Sequence, residues 1–211
     1  MERLRQIKYT PEFKDIIAEN PGALKIFLKL EEEIAAHTDL REEKVFEDGD
    51  VKITPLYDEV RASGYGDNKA NSYLKVEIGD EAFFVKTIPG HNQYKDESGG
   101  VREFKNSKYV KEILRWVQGV EVVESQLGYE DKEKDVTYFV SKWMDLPRLN
   151  KVLNETRSLE MKDSLNNRVE IIQRRLNENN MMDVEPYNMF YDEKTDTIYV
   201  FDIFEKRDSS I

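Results

Sequence analysis

The sequence contains no cysteine and only two histidines among its 211 residues. The absence of cysteine excludes disulfides, thiolate metal ligands and cysteine nucleophiles, and a zinc site would need mostly carboxylates. No apolar run approaches the roughly 20 residues of a membrane span, and the opening residues MERLRQIKYTPEF lack the apolar stretch of a signal peptide. We therefore expect a soluble, cytoplasmic protein with no membrane partner, in which any metal has oxygen ligands.

Basic residues are also in the minority, with 32 lysines and arginines against 43 aspartates and glutamates and a net charge of −11. Such a chain lacks the broad positive surface that neutralises the phosphates of DNA or RNA, so we expect no nucleic-acid partner. Apolar residues are plentiful, at 39% of the chain, with 11 tyrosines and 10 phenylalanines. This composition supports a folded core rather than a disordered chain.

The spacing of apolar residues changes near residue 50. Residues 10–36 have the period of helices, which predicts an N-terminal helical extension over residues 1–50. From Val51 to Pro89 the period is closer to two, which predicts an antiparallel meander of strands. Its three strands are Val51–Leu56, Ser72–Ile78 and Glu81–Ile88.

The remainder of the chain mixes helical and strand patterns, so the fold class predicted is α+β. A helix is expected from about Val101 to Val117, and the chain reads as helical from after Trp143 to Asn180, with a buried stripe from Met161 to Leu176. The strands expected in this part are Val120–Leu127, Val136–Trp143, Met189–Tyr191 and Thr197–Phe201.

Three oxygen-bearing side chains are expected to meet near the end of the chain. Asp183 lies in a loop after the long helix, Asn188 follows five residues later, and Asp202 ends the next hairpin. Oxygen ligands suit Mg²⁺, and phosphoryl transfer requires neutralised charge and an oriented nucleophile. Taken alone, these are also ordinary turn residues, so the pattern acquires meaning only from its context.

A lysine and a glutamate upstream supply that context. Lys86 follows Phe83, Phe84 and Val85 on an apolar strand, where a lysine is more often a surface residue. Glu103 lies on the same helical face as Val110, so its carboxylate is predicted to point inward and to need a cation. We predict that Lys86 and Glu103 form an ion pair.

In their order and spacing, these residues resemble the motifs of the protein kinase-like superfamily. Lys86 resembles the strand lysine of V-A-I-K, and Glu103 resembles the glutamate of helix αC. Asp183 and Asn188 resemble the two ends of the H-R-D-x-x-x-x-N catalytic loop, and Asp202 resembles the aspartate of D-F-G.

The resemblance extends to a glycine loop and a connecting segment. Gly64 and Gly66 stand where the family has the first glycines of its phosphate-covering loop. The family's fold implies a strand-rich N-lobe over residues 51–143 and a reduced helical C-lobe over 144–211, with ATP between them. Trp143 and Met144 of the connecting segment are then expected to contact the adenine.

The resemblance also implies the roles of the polar residues in an ATP-dependent phosphotransferase. Lys86, positioned by Glu103, would hold the α- and β-phosphates. Asn188 and Asp202 would carry Mg²⁺, and Asp183 would act as the base for the attacking hydroxyl. The sequence does not identify the acceptor, although a protein substrate or partner is slightly favoured.

Departures from the family pattern keep two alternatives open. Met181 and Met182 replace the histidine and arginine before Asp183, Ile203 and Phe204 replace the Phe-Gly after Asp202, and we expect no activation segment and no late C-lobe helices. One alternative is a pseudokinase that binds nucleotide or protein as a scaffold without transfer. The other is an interaction protein with no nucleotide site.

Overall fold

The computed structural model describes residues 45–49, 51–56, 72–89, 99–131 and 136–205. The predicted N-terminal helices and the glycines Gly64 and Gly66 lie outside these residues. The fold is α+β, as predicted, and contacts divide the described chain into two units. The first unit comprises the described residues up to Phe104 together with Ser125–Trp143, and the second comprises Lys105–Glu124 and the residues from Met144 onward.

The first unit contains a six-stranded sheet in which every neighbouring pair is antiparallel. The strand order is β1-β2-β3-β4-β7-β6. The bounds are β1 Phe46–Asp48, β2 Val51–Pro55, β3 Ser72–Ile78, β4 Glu81–Pro89, β6 Ser125–Asp131 and β7 Val136–Lys142. The predicted meander is therefore confirmed, and β1 adds a strand that the sequence pattern did not indicate.

Alternation along β3 and β4 places buried apolar side chains on one face of this sheet. Leu74 and Val76 of β3 are buried opposite Val85 and Phe83 of β4, whereas the intervening Tyr73, Lys75 and Glu77 are partly exposed. This is the period of two expected for a sheet with one buried face. The tight turn between β3 and β4 is possible because Gly79 has a φ of +59°.

Helix α1 spans Gly99–Leu114, and the predicted extension to Val117 is wrong. The Val117 amide donates to the Leu114 carbonyl at 2.8 Å, and this 3₁₀-type hydrogen bond between residues three apart ends the helix. Val117 still packs on the core. The single strand predicted for Val120–Leu127 is also wrong. Strand β5, Val120–Val122, pairs in parallel with the later strand β10, Thr197–Val200, whereas β6 belongs to the six-stranded sheet.

The second unit contains most of α1 and two further helices, α2 Leu149–Glu155 and α3 Leu159–Asn177. The helical pattern expected to run unbroken to Asn180 is interrupted before α3, where the Ser158 hydroxyl caps the helix by accepting a hydrogen bond from the Met161 amide. Four members of the predicted apolar stripe of α3 are buried, namely Leu165, Val169, Ile172 and Leu176, and the fifth, Met161, is partly buried against the core.

Two small sheets complete the second unit. Strands β9, Met189–Asp192, and β10, Thr197–Val200, form the predicted hairpin, and β5 joins them to make a sheet of order β5-β10-β9. Strand β8, Met181–Met182, pairs antiparallel with β11, Phe204–Glu205, in a ribbon that was not predicted. None of the described helices is long and apolar enough to cross a membrane.

Candidate functional site

The predicted ion pair between Lys86 and Glu103 is present in the first unit. The Lys86 ammonium nitrogen lies 2.8 Å from Oε1 of Glu103, and the two side chains are 5% and 10% exposed. Removal of two charges from water costs several kcal/mol per ion by the general estimate, so such a pair is retained only with close geometry. A buried pair of this kind is a candidate for a functional role.

Strand pairing explains why Lys86 is buried. Its neighbours across the sheet are Tyr73 on β3 and Phe139 on β7, so the lysine lies on a central strand rather than at an edge. Tyr73 stacks on Phe84, two residues before Lys86 on the same face, with ring centroids 5.7 Å apart. Aromatic residues therefore flank the lysine on both neighbouring strands, and Glu103 supplies the opposite charge.

Glu103 differs from the other glutamate of helix α1. The side chain of Glu112 is 67% exposed and pairs at 3.1 Å with Arg115, three residues further along the chain and just past the end of the helix. Exposed pairs of that kind contribute little to stability. The helical period thus separates the inward carboxylate from the outward one, as the sequence predicted.

In the second unit, the β9–β10 hairpin and the β8–β11 ribbon bring Asp183, Asn188 and Asp202 to neighbouring positions. Met182, the last residue of β8, pairs with Phe204, the first residue of β11. Asp183 follows β8 directly, and Asp202 lies two residues before β11, so both residues lie at the same end of this ribbon. Val200 pairs with Met189, and the next amide along, that of Phe201, donates to the Asn188 carbonyl at 3.1 Å. Each ribbon therefore ends beside Asp202, which places Asp183, Asn188 and Asp202 at neighbouring positions of the backbone.

Asp183 is held in a fixed orientation by Asn188. The side-chain amide nitrogen of Asn188, which is 5% exposed as a residue, donates to Oδ2 of Asp183 and to the Asp183 carbonyl, both at 2.9 Å. Asp183 has a φ of +64° and Asp202 a φ of +54°. Non-glycine residues seldom adopt this left-handed conformation, and such residues cluster at functional sites.

Tyr187 is the site residue that sequence reasoning missed. Its hydroxyl donates to Oδ1 of Asp183 at 2.5 Å, although nearly half of the tyrosine is exposed. This hydrogen bond raises the pKa of Tyr187 to about 12, with further contributions from burial and from the charges of Asp183, Glu185 and Asp202. The charge of Asp202 therefore acts on the same hydroxyl as Asp183. The sequence signal for this contact was the four-residue spacing between Asp183 and Tyr187 within a loop that contains a proline.

Arg148 and Gln173 support this loop and were also missed. Arg148 donates to the Tyr187 carbonyl at 2.6 Å, while its guanidinium carbon lies 4.9 Å and 4.5 Å from the ring centroids of Phe190 and Phe201. Gln173 of α3 donates to the Val184 carbonyl at 2.8 Å. Met181, which stands where the kinase motif has histidine, is 2% exposed and packs in the core. Loop support therefore comes from Arg148 and Gln173.

The residues expected to contact adenine are partly exposed. The Trp143 amide donates to the Ala82 carbonyl at 2.9 Å, which extends the pairing of β7 with β4, and the Lys75 ammonium lies 5.3 Å from the centroid of the Trp143 ring. Met144 is half-buried. The roles expected for Trp143 and Met144 stay predictions, as do those of Gly64 and Gly66.

The polar side chains of this loop offer oxygen atoms, and the Mg²⁺ roles expected for Asn188 and Asp202 stay predictions. Among the described residues, no group of three His, Cys, Asp or Glu side chains is arranged to hold a metal ion. Mg²⁺ commonly keeps several waters and binds through one or two carboxylates together with substrate phosphates. The Asn188 amide nitrogen makes both side-chain bonds, so Oδ1 of Asn188 and the Asp202 carboxylate are the oxygens suited to such an ion.

Comparisons with known proteins give neighbours of low similarity. No protein family model and no curated protein matches the sequence. Among solved structures, the PK-1 kinase of the Cydia pomonella granulovirus has 15% identity and a TM-score of 0.42, and it matches over 67% of this chain and 51% of its own. The bifunctional kinase-methyltransferase WbdD has 13% identity and a TM-score of 0.36, over 65% of this chain and 30% of its own. The chain thus spans about half of the viral kinase and under a third of WbdD.

Proposed function

We propose that this chain has a protein kinase-like fold and transfers the γ-phosphoryl group of ATP to a hydroxyl group, with a protein as the favoured acceptor. The observation that carries the proposal is the convergence of Asp183, Asn188 and Asp202, with Asn188 orienting the Asp183 carboxylate. Phosphoryl transfer depends mainly on positioning and on charge stabilisation, and this group of oxygens can serve both needs.

The proposed chemistry gives each residue a separate role. Lys86 holds the α- and β-phosphates, and its pair with Glu103 fixes the direction of the ammonium group. Asp183 accepts the proton of the attacking hydroxyl, so its carboxylate must remain oriented by Asn188. Mg²⁺, held by Asn188 and Asp202, supplies charge neutralisation for the phosphates when it is bound.

A nucleotide-binding scaffold without transfer is the second candidate. The observation that favours it is the occupation of both Asp183 oxygens, one by the Tyr187 hydroxyl and the other by the Asn188 amide. A base held in this way must lose a partner before an external hydroxyl can approach it. The two candidates share nucleotide binding and differ in turnover, so ATP hydrolysis or phosphoryl transfer separates them.

Calorimetric titration with ATP and Mg²⁺ tests the site that both candidates share. We expect the wild type to bind and Asp202→Ala to bind more weakly, because the substitution removes one of the two oxygen donors. Asp163→Ala is the matched control, since Asp163 is an exposed carboxylate on α3 and the change in charge is the same. Equal affinity in the wild type and Asp202→Ala would contradict the assignment of Asp202 as a metal ligand. Absence of ATP binding by the wild type would contradict the nucleotide site.

A further inference from the structure

The Tyr187 hydroxyl occupies the position that an attacking hydroxyl needs. A general base must lie within about 2.6 to 3.2 Å of the proton-bearing oxygen, or closer when the hydrogen bond is charge-assisted. The Tyr187 oxygen lies 2.5 Å from Oδ1 of Asp183. Among the residues that the structure describes, no other hydroxyl forms a hydrogen bond with Asp183. The base therefore already has a potential nucleophile in place.

The loop holds this tyrosine in place through its backbone. The Glu185 amide donates to the Asp183 carbonyl at 3.0 Å, and the Asn188 amide donates to the Glu185 carbonyl at 2.8 Å across the short 3₁₀ turn Pro186–Asn188. The Tyr187 carbonyl accepts the hydrogen bond from Arg148. These bonds fold residue 187 back toward residue 183, and the tyrosine is still 47% exposed.

We infer that Tyr187 is itself a phosphoryl acceptor of this chain, modified in cis by the Asp183 site. This inference rests on the proposed phosphotransferase function. In the step, the Tyr187 oxygen attacks the γ-phosphorus of ATP and forms the new O–P bond. The bond from the γ-phosphorus to the bridging oxygen breaks and releases ADP, and the tyrosine proton passes to Oδ1 of Asp183.

An intramolecular acceptor has a kinetic advantage that a second molecule lacks. Nucleophile and base belong to one loop, so no encounter between two proteins is required before transfer. The rate constant for incorporation is therefore independent of protein concentration. A reaction between two copies would instead accelerate as the protein is concentrated.

The charges around Tyr187 disfavour contact between its phosphorylated form and Asp183. The carboxylates of Asp183, Glu185 and Asp202 all act on the tyrosine hydroxyl. A phosphotyrosine carries a charge of about −1.5 to −2 at neutral pH and is repelled by nearby carboxylates. Repulsion favours departure of the modified side chain from Asp183, and incorporation at Tyr187 stops at one phosphoryl group because its single hydroxyl oxygen is then consumed.

The test is to incubate the full chain with ATP and Mg²⁺ and to locate the phosphate by mass spectrometry of proteolytic fragments. We expect phosphate on Tyr187, up to one group per chain, with a rate constant unchanged across an about hundredfold dilution of the protein. Asp183→Asn should slow this incorporation by about 10² to 10⁴. Tyr187→Phe should abolish it, whereas Tyr109→Phe should retain it. Tyr109 is the matched control because it is also 47% exposed and lies outside this loop.

Different results would overturn different parts of the account. If the wild type hydrolyses ATP or phosphorylates other residues while Tyr187 stays unmodified, the inference fails and the proposed function stands. If Tyr187 is modified at a rate that rises with protein concentration, transfer in cis is refuted. If the wild type neither transfers phosphate nor hydrolyses ATP, the inference fails together with the proposed function. Mapping is done on the wild type, so the result does not depend on how well any variant folds.

Discussion

The ammonium group of Lys86 lies 2.8 Å from a carboxylate oxygen of Glu103, on side chains that are 5% and 10% exposed. The ion pair joins strand β4 to the first turns of helix α1. In a buried pair, each charge depends on the other, because the loss of either leaves an uncompensated charge in a poorly hydrated place.

Lys86→Met is expected to destabilise the protein by about 3 to 5 kcal/mol, the general cost of removing one partner of a buried pair. Lys86→Met combined with Glu103→Met should cost less than the sum of the single substitutions, since no charge is then stranded. The control is Lys52→Met in the exposed pair Lys52–Glu47, whose side chains are 46% and 66% exposed. That substitution should cost much less than Lys86→Met in the same denaturant titrations, and equal costs at the two sites would contradict the account.

Gly119→Ala is expected to disturb a specific contact. Gly119 has a φ of +69°, and a Cβ there would lie 2.9 Å from Nη1 of Arg168 and 3.1 Å from the Asp196 carbonyl oxygen. Arg168 cannot move away cheaply, because it bonds both the carbonyl and the carboxylate of Asp196. The left-handed backbone adds roughly 1 to 2 kcal/mol for any alanine.

Gly79→Ala is the matched control, since Gly79 has a φ of +59° and open space where the alanine methyl group would lie. The clash should make Gly119→Ala the more costly substitution by about 1 to 3 kcal/mol in unfolding experiments. Equal destabilisation by the two alanine substitutions would show that Arg168 adjusts to the added methyl group at little cost in free energy.

The Asp196 carboxylate should contribute to stability in a pH-dependent way. Hydrogen bonds from Arg168 and then Tyr191 hold the pKa of Asp196 below its ordinary value of 3.8, while burial raises the pKa of Tyr191. Because the folded-state pKa is depressed, the contribution is fully present above pH 3.8 and is lost as the pH falls through the folded-state pKa.

Asp196→Asn should therefore be less stable than the wild type at neutral pH, and the difference should shrink in acid. Denaturant titrations at several pH values measure this difference, and Asp163→Asn provides the baseline for the loss of one exposed carboxylate on α3. A difference between wild type and Asp196→Asn that stays constant from neutral pH to below pH 3.8 would refute the role of this charge.

The sequence predicted the features that depend on local period. The strands around Gly79, the buried stripe of α3 and the hairpin after Asn188 all follow from spacing along the chain. The pairing of Lys86 with Glu103 could also be predicted, because an inward carboxylate and a lysine on an apolar strand each require a partner.

The features that were missed depend on contacts between distant segments. The run from Val120 to Leu127 divides because β5 pairs with β10 whereas β6 pairs with β7, and no local pattern records that choice. Strands β8 and β11 have two residues each, too short for a period to be detected. Arg148 reads as an ordinary surface cation until the fold places Phe190 and Phe201 against its guanidinium group.

Transfer of labelled phosphate from ATP, in the wild type and Asp183→Asn, tests the central claim most directly. Asparagine keeps the shape of the side chain and removes its ability to accept a proton, so we expect transfer or hydrolysis to fall by about 10² to 10⁴. Lys86→Met should also abolish transfer, by misplacing the phosphates. Glu185→Gln, which removes a charge from an exposed residue of the same loop, should remain active. Asp183→Asn as active as the wild type, or a wild type with no activity above background, would contradict the claim that Asp183 is the base of a phosphotransferase.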